Sequence, residues 1–308
     1  MNSDQYLKKN DRDLNGQNLI KKPVKRDLTR VGVVDIGSNS VRLVVFDGAG
    51  RSPAYFYNEK IMCGLGSGMS ETNCLNPQGR ARAVAALRRF QALAEGMGIT
   101  PLSAVATAAV REAEDGPDFC QQVERETGLK IWVIDGKQEA RLSAQGVLLG
   151  WPGSYGLVCD IGGSSMELAE ISDGKVGKRQ SSDLGPLKLQ GISGGKKARN
   201  DHIKTTIMAL KDKMGLQQNR LFLVGGSWRA LARVDMERRN YPLHVPHEYR
   251  MSTQGINETI KLLEASDPEE LRRRCHISAN RMALLPIACE VLRRLLITFA
   301  PKDIAISS

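Results

Sequence analysis

Two stretches of the chain repeat one pattern. Val34-Asp35-Ile36-Gly37-Ser38-Asn39-Ser40-Val41-Arg42-Leu43 is matched by Cys159-Asp160-Ile161-Gly162-Gly163-Ser164-Ser165-Met166-Glu167-Leu168. Each reads as an apolar strand that ends in Asp-Ile-Gly, a small polar turn, and a second apolar strand. Each second strand runs into an acidic-glycine turn, Asp47-Gly48 in one copy and Asp173-Gly174 in the other. A hairpin written twice in this way restricts the chain to two similar lobes. Short turns of this kind bare backbone N–H groups that suit phosphate oxygens, and glycine allows close approach. Hairpins also use these residues for conformational reasons alone. One copy would therefore say little, whereas two in matching contexts point to a site between lobes.

The rest of the chain repeats the cycle. Strands are predicted at 31–36, 41–47 and 53–61, and again at 156–160, 166–171 and 175–181. Asn76-Pro77 opens a helix to about residue 95, with Val84, Leu87, Phe90 and Leu93 at helical spacing. A strand at 102–106, a helix at 118–127, a strand at 130–134 and a helix at 136–149 complete the first half. The second half continues with a helix near 194–213, a strand at 221–224, a helix from Trp228, helices at 252–264 and 276–299 with a kink at Pro286, and a final strand at 303–307. The expected fold class is α/β: two duplicated domains, 30–150 and 151–308, with a cleft between them. The last helix and strand are open to exchange between the lobes. Residues 1–29 read as a basic, disordered extension.

Chemistry is suggested at a handful of places. Asp35 and Asp160 stand at strand ends, where a carboxylate can hold Mg²⁺. Seven residues after each, the copies differ: Arg42 in the first and Glu167 in the second. One lobe then offers a cation to phosphate and the other an anion to a metal or water; the alternative is an ion pair across the cleft. Glu139 stands at a helix start, where a carboxylate also serves the helix dipole. Arg111 follows a strand end and can clamp phosphate or simply face solvent. Gly225-Gly226-Ser227 lies between a strand and a helix, which is anion-binding geometry without a full P-loop. His244 and His247 flank Val-Pro without an acidic cluster and read as a loop, and the Arg-Arg runs at 272–274 and 293–294 read as solvated helix faces.

The net charge of +10 favours a polyanionic partner. Nucleic acid is a poor fit, because no recognised module is present and aromatics are only 5%. Six cysteines without Cys-x-x-Cys or zinc spacing read as reduced thiols of a cytoplasmic protein. No stretch approaches the ~20 apolar residues of a membrane span.

Five segments occur in an order that resembles the exopolyphosphatase / guanosine pentaphosphate phosphatase (Ppx/GppA) family, bacterial enzymes of the stringent response. They are Asp35-Ile-Gly-Ser-Asn-Ser, Ala106-Thr-Ala-Ala-Val-Arg111-Glu-Ala, Gly136-Lys-Gln-Glu139-Ala-Arg-Leu, Asp160-Ile-Gly-Gly-Ser-Ser-Met-Glu167 and Gly225-Gly-Ser-Trp-Arg. The resemblance covers about residues 30–308. It implies the duplicated actin-like, sugar-kinase (ribonuclease H-like) fold and a homodimer. It also implies Mg²⁺-dependent release of terminal phosphate from polyphosphate, or of the 5′-γ-phosphate from guanosine pentaphosphate. On this resemblance Glu139 is the base, and Asp160 and Glu167, with Asp35 as a further candidate, hold metal and phosphate. Gly37, Ser38, Asn39, Arg42, Arg111, Gly162, Gly163, Ser164, Gly225, Gly226 and Ser227 are expected around the phosphates. Two alternatives share the fold: a phosphotransferase between polyphosphate and ADP, and a non-catalytic module that binds guanosine tetraphosphate or polyphosphate. The chain departs from the family pattern in two ways. Ser164 stands for a glycine and Met166 for a threonine. The strand at 303–307 also ends just before the family's Gly-Leu-Arg-Glu-Gly segment, as in a short or truncated form.

Overall fold

The computed structural model describes residues 29–48, 54–99, 102–215 and 220–307. Residues 1–28 of the expected extension, and the residues after Gly48 in the first acidic-glycine turn, lie outside them.

Two sheets organise the chain. Strands β1 (Val31–Ile36), β2 (Ser40–Phe46) and β3 (Tyr55–Met62) form an antiparallel meander. Helices α1 (Met69–Thr72) and α2 (Pro77–Gly96) precede β4 (Ser103–Ala106), which extends the sheet, and α3 (Ala108–Glu112) follows it. Helix α4 (Gly116–Thr127) leads to β5 (Ile131–Val133), and the sheet order is β3-β2-β1-β4-β5 with β4 and β5 parallel to β1.

The second sheet repeats this plan. Helix α5 (Gly136–Gly150) precedes β6 (Gly156–Ile161), β7 (Met166–Ser172) and β8 (Lys175–Ser182), again an antiparallel meander. Then come α6 (Pro186–Gln190), α7 (Gly195–Met214), β9 (Arg220–Val224), α8 (Gly226–Arg238), β10 (Arg250–Met251), α9 (Thr253–Ala265), α10 (Pro268–Arg274), α11 (Ala279–Phe299) and β11 (Asp303–Ser307). The order is β10-β11-β9-β6-β7-β8, with β9 parallel to β6 and β11 parallel to β9.

Burial explains how each sheet is covered. β1 alternates buried Val34 and Ile36 with accessible Val33 and Asp35, the pattern of a strand packed on one face. Its buried face meets Val84, Leu87 and Phe90 of α2 and Phe119 and Val123 of α4. β6 is buried almost throughout, because α7, α8 and α11 cover one face and α5 the other. Helix α5 stands in the first half of the sequence, and a division at 150 leaves it with the first domain. It packs instead on the second sheet. Its small buried residues Ala140, Ala144 and Val147 lie against Val158, Ala169 and Ile171, where a larger side chain would hold the helix off the strands. The last helix and strand also stay with the second lobe, so they are not exchanged: β11 pairs with β9, and α11 joins the same core.

Local signals acted as expected at the start of α2, where Asn76 accepts from Gly79 N–H (2.8 Å) and Pro77 takes the first turn. The helix expected over 276–299 is shorter at its start. His276 takes a left-handed φ of 50°, which ends α10 and forces a new start at Ser278, and α11 runs on through Pro286. Among the described residues no helix is long and apolar enough to cross a membrane, and all six cysteines are free thiols.

Candidate active site

The two repeated hairpins superimpose in their hydrogen bonding. Gly37 N–H donates to the Ser40 carbonyl (3.0 Å), and Gly162 N–H to the Ser165 carbonyl (2.9 Å). Asp35 pairs across the ladder with Arg42, and Asp160 with Glu167. The substitution read from the sequence therefore occupies equivalent positions. Arg42 and Glu167 do not pair with each other: Arg42 Nε donates to Asn58 Oδ1 (2.8 Å), and Glu167 Oε1 accepts from Ser181 Oγ (2.8 Å).

The turns meet tip to tip at the base of the cleft. Ser164 Oγ is 2.9 Å from Ser38 Oγ, and both residues are buried. Gly163 is required by this approach, since a Cβ there would lie 3.0 Å from Ser38 Cβ and 2.9 Å from Leu187. Above the turns lies a cavity of about 210 Å³. It is lined by Asp35, Gly37, Ser38, Asn39, Thr107, Glu139, Asp160, Gly162, Gly163, Gly225, Gly226, Ser227 and Arg281. Gly225 opens the 13-residue helix α8 at φ 113°, and a Cβ there would meet Ile161 O at 2.6 Å and Asp160 Oδ1 at 3.2 Å. Only glycine brings this helix N-terminus, with its unpaired N–H groups, against the Asp160 strand end.

Glu139 enters from the first turn of α5, which starts with a capping box between Asp135 and Gln138. Arg111 reaches it from α3. One Arg111 nitrogen donates to the Ile134 carbonyl at 2.7 Å and to Glu139 Oε2 at 3.3 Å. Burial nonetheless pushes the Glu139 carboxyl up to about 7. Arg111 opposes that shift, while the charges of Asp160 and Asp35 add to it. Asp35 is open to the cleft, yet its carboxyl is pushed up to about 6, first by the protein walls that strip its hydration and then by Asp160. Asp160 is also raised by burial, with the Ser143 hydroxyl and Arg229 acting against the shift. Glu167 is 1% exposed and its carboxyl lies well above the ordinary range, because of burial and then the charges of Glu139 and Asp160.

A basic wall faces these acids. Burial and the neighbouring Arg281, Arg229 and Arg42 hold the Lys60 ammonium down at about 8. Arg229 and Arg281 are lowered by burial first, and then by neighbouring arginines. Asp160 partly offsets the charge of Arg229, while Arg281 faces chiefly the other arginines.

Of the residues expected at the phosphates, Gly37, Ser38, Asn39, Gly162, Gly163, Gly225, Gly226 and Ser227 share one cavity with Glu139, Asp160 and Asp35. Arg42 and Glu167 stand one strand behind the cavity, and Arg111 reaches it through Glu139. Ser164 turns its back on it and borders a separate space of about 400 Å³ on the far side of the turns. Thr107, Ser143, Lys60, Arg229 and Arg281 were not anticipated. Thr107 and Arg229 lie inside quoted segments, so position within a motif was the available signal for them. Nothing local marked Arg281, Lys60 or Ser143.

The donor set suits a hard divalent cation. Magnesium is commonly held by one or two carboxylates together with substrate phosphates, so a complete protein cage is not required. Among the described residues no three His, Cys, Asp or Glu side chains form such a cage. The buried Glu167 Oε2 has no hydrogen-bond partner, and the charge of Asp160 raises the proton affinity of Asp35, Glu139 and Glu167. A cation bound among them would relieve that repulsion.

Comparison with known proteins places this geometry. Exopolyphosphatase 1 of Mycobacterium tuberculosis and that of Mycobacterium leprae are each 33% identical over 147 residues, which is 47% of this chain and 43% of theirs. The matched segment is thus less than half the length of those relatives. The crystal structure of an exopolyphosphatase from Cytophaga hutchinsonii matches with a TM-score of 0.81 at 22% identity, covering 91% of this chain and 94% of that one. An Aquifex aeolicus Ppx/GppA family member matches with a TM-score of 0.74 at 23% identity, over 91% of this chain and 94% of that one. These structures share the two-lobed, actin-like α/β fold expected from the sequence. The model of the Ppx/GppA phosphatase family matches residues 32–308, and the chain belongs to that family.

Proposed function

We propose that this protein is a cytoplasmic, Mg²⁺-dependent phosphoanhydride hydrolase that releases terminal phosphate from inorganic polyphosphate. Guanosine pentaphosphate, whose γ-phosphate is the same kind of anhydride, belongs to the proposal as a second substrate, and a homodimer as the working form. The observation that carries this reading is the convergence on one cavity of two hairpin turns, a helix N-terminus and Glu139 poised at about 7.

Each group has a part in the reading. Backbone N–H groups of the turns at 37–39 and 162–163 and of α8 would hold the oxygens of the terminal phosphate. Glu139, ionised in a substantial fraction near neutral pH, would accept a proton from the attacking water. Arg111 would keep Glu139 from being protonated altogether. The basic wall of Lys60, Arg229 and Arg281 would balance the charge of the remaining chain. Asp160, Glu167 and Asp35 are the residues that would hold Mg²⁺, which when bound neutralises phosphate oxygens. Positioning and electrostatics would supply most of the rate, as phosphoryl transfer requires little covalent help from the protein.

The test is phosphate release from polyphosphate and from guanosine pentaphosphate by the wild type and Glu139→Gln. A general base is expected to contribute about 10²–10⁴-fold. Equal rates would remove Glu139 from that role, and formation of ATP in place of free phosphate when ADP is added with polyphosphate would identify a transferase.

A further inference from the structure

We propose that Ser164 is a positioning residue: its hydroxyl donates to Ser38 Oγ and thereby turns the Ser38 proton toward the anion in the cleft. The inference rests on reading the cleft as a phosphate site. Ser38 and Ser164 stand back to back, 5% and 7% exposed, with their oxygens 2.9 Å apart. Ser38 borders the cleft; Ser164 borders only the space behind it. The Ser38 Cβ is hemmed in by the backbones of Gly66 and Gly163, where added Cβ atoms would lie 3.1 Å and 3.0 Å away, and its carbonyl accepts from Gly66 N–H at 2.7 Å. The backbone and Cβ of Ser38 are therefore held in place, its oxygen is placed by the 2.9 Å contact to Ser164 Oγ, and the direction of its one proton is what the contact can set.

Each serine hydroxyl has one proton and two lone pairs. The bridging and terminal oxygens of a phosphate chain are acceptors. A Ser38 that spent its proton on Ser164 would turn only lone pairs to the anion and repel it. The reverse orientation gives an unbroken chain, Ser164 O–H to Ser38 O–H to phosphate oxygen, in which each bond polarises the next. A glycine at 164, as the family pattern has it, leaves the Ser38 proton undirected. Because the two turns belong to different sheets, the same chain makes anion binding strengthen the contact between the lobes.

The experiment is a double-mutant cycle on the whole protein, with tripolyphosphate as the probe. Binding is read by titration calorimetry without Mg²⁺, and KM and kcat by phosphate release with it. Ser164→Ala and Ser164→Gly are expected to weaken tripolyphosphate binding about threefold to tenfold, and Ser164→Thr to restore it to within about twofold, as a hydroxyl in the same place should. Ser38→Ala is expected to weaken binding too, and adding Ser164→Ala to it should cost nothing further. Additive losses, or a Ser164→Ala protein that binds as the wild type does, would overturn the role of Ser164 while leaving the phosphate site intact. A wild type that neither binds tripolyphosphate without Mg²⁺ nor releases phosphate from it with Mg²⁺ would overturn the phosphate reading, and the role of Ser164 with it; where turnover alone is seen, the same cycle is read in KM.

Discussion

Replacing Arg111 by methionine removes a charge from Glu139 and keeps most of the stem that packs beside it. The two groups are 3.3 Å apart, with side-chain exposures of 22% and 16%, so solvent screens them only partly. At that distance two unit charges attract by roughly 5 kcal/mol in an effective dielectric of about 20, and by little more than 1 kcal/mol in bulk water. A carboxylate beside an arginine is shifted by roughly one to three pKa units, which falls between those limits. Glu139 lies at about 7 with Arg111 in place, and Arg111 acts to lower it. Arg111→Met therefore moves the Glu139 carboxyl upward from there. On the proposed role of Glu139 as base, it must be ionised, so kcat/KM is expected to rise with pH as Glu139 loses its proton, and in the variant that rise is expected to shift to higher pH. The smallest shift lowers the ionised fraction at pH 7 about fivefold. The assay is phosphate release from polyphosphate between pH 5 and 10, wild type against variant. A direct loss of phosphate binding lowers the profile evenly, whereas the effect on Glu139 moves its acid limb. If the limb stays in place while the rate falls, the arginine does not act through Glu139.

Two further outcomes are expected. Glu167 has a folded-state pKa raised above the ordinary 4.5, so the native state holds a proton that the unfolded chain has lost, and stability falls as pH rises above about 4.5; Glu167→Gln should raise Tm at pH 8, by about 2–4 °C for each kcal/mol relieved, and leave it nearly unchanged at pH 4, as scanning calorimetry would show. Gly225→Ala forces a Cβ to 2.6 Å from Ile161 O at a φ of 113°; a loss of about 1–3 kcal/mol in urea unfolding is expected, together with weaker anion binding as α8 is pushed off Asp160.

The hairpins were legible because two local signals agree in them, apolar alternation and small turn residues. The residue-by-residue pairing of Asp35 with Arg42 and of Asp160 with Glu167 followed from it. The start of α2 was legible for the same reason, in Asn76 and Pro77. Short helices were not: α3 and α6 have five residues each, too few to show a period, and tertiary packing decides them. The orientation of Ser164 was beyond reach, because whether a turn residue faces the cleft or the opposite side depends on where the other lobe stands. Arg281 and Lys60 carry no local mark of a site. They gain one only when α11 and β3, far apart in sequence, are brought to the same rim.

The crossing of the chain between its lobes has a consequence for how the centre is assembled. The first core contains residues 34–131 and the other two contain residues 140–306, so among the described residues a single peptide strand near 134–136 joins them. Glu139 therefore travels with the second sheet, while its partner Arg111 travels with the first. The centre is in effect an interface between two bodies tethered at one point. The spacing of its halves is set by side-chain contacts such as Lys188 with Glu112 (2.7 Å), not by covalent bracing. The charge state of Glu139 is thereby tied to lobe separation, since an opening would draw Arg111 and Asp35 away and wet the carboxylate in the same movement.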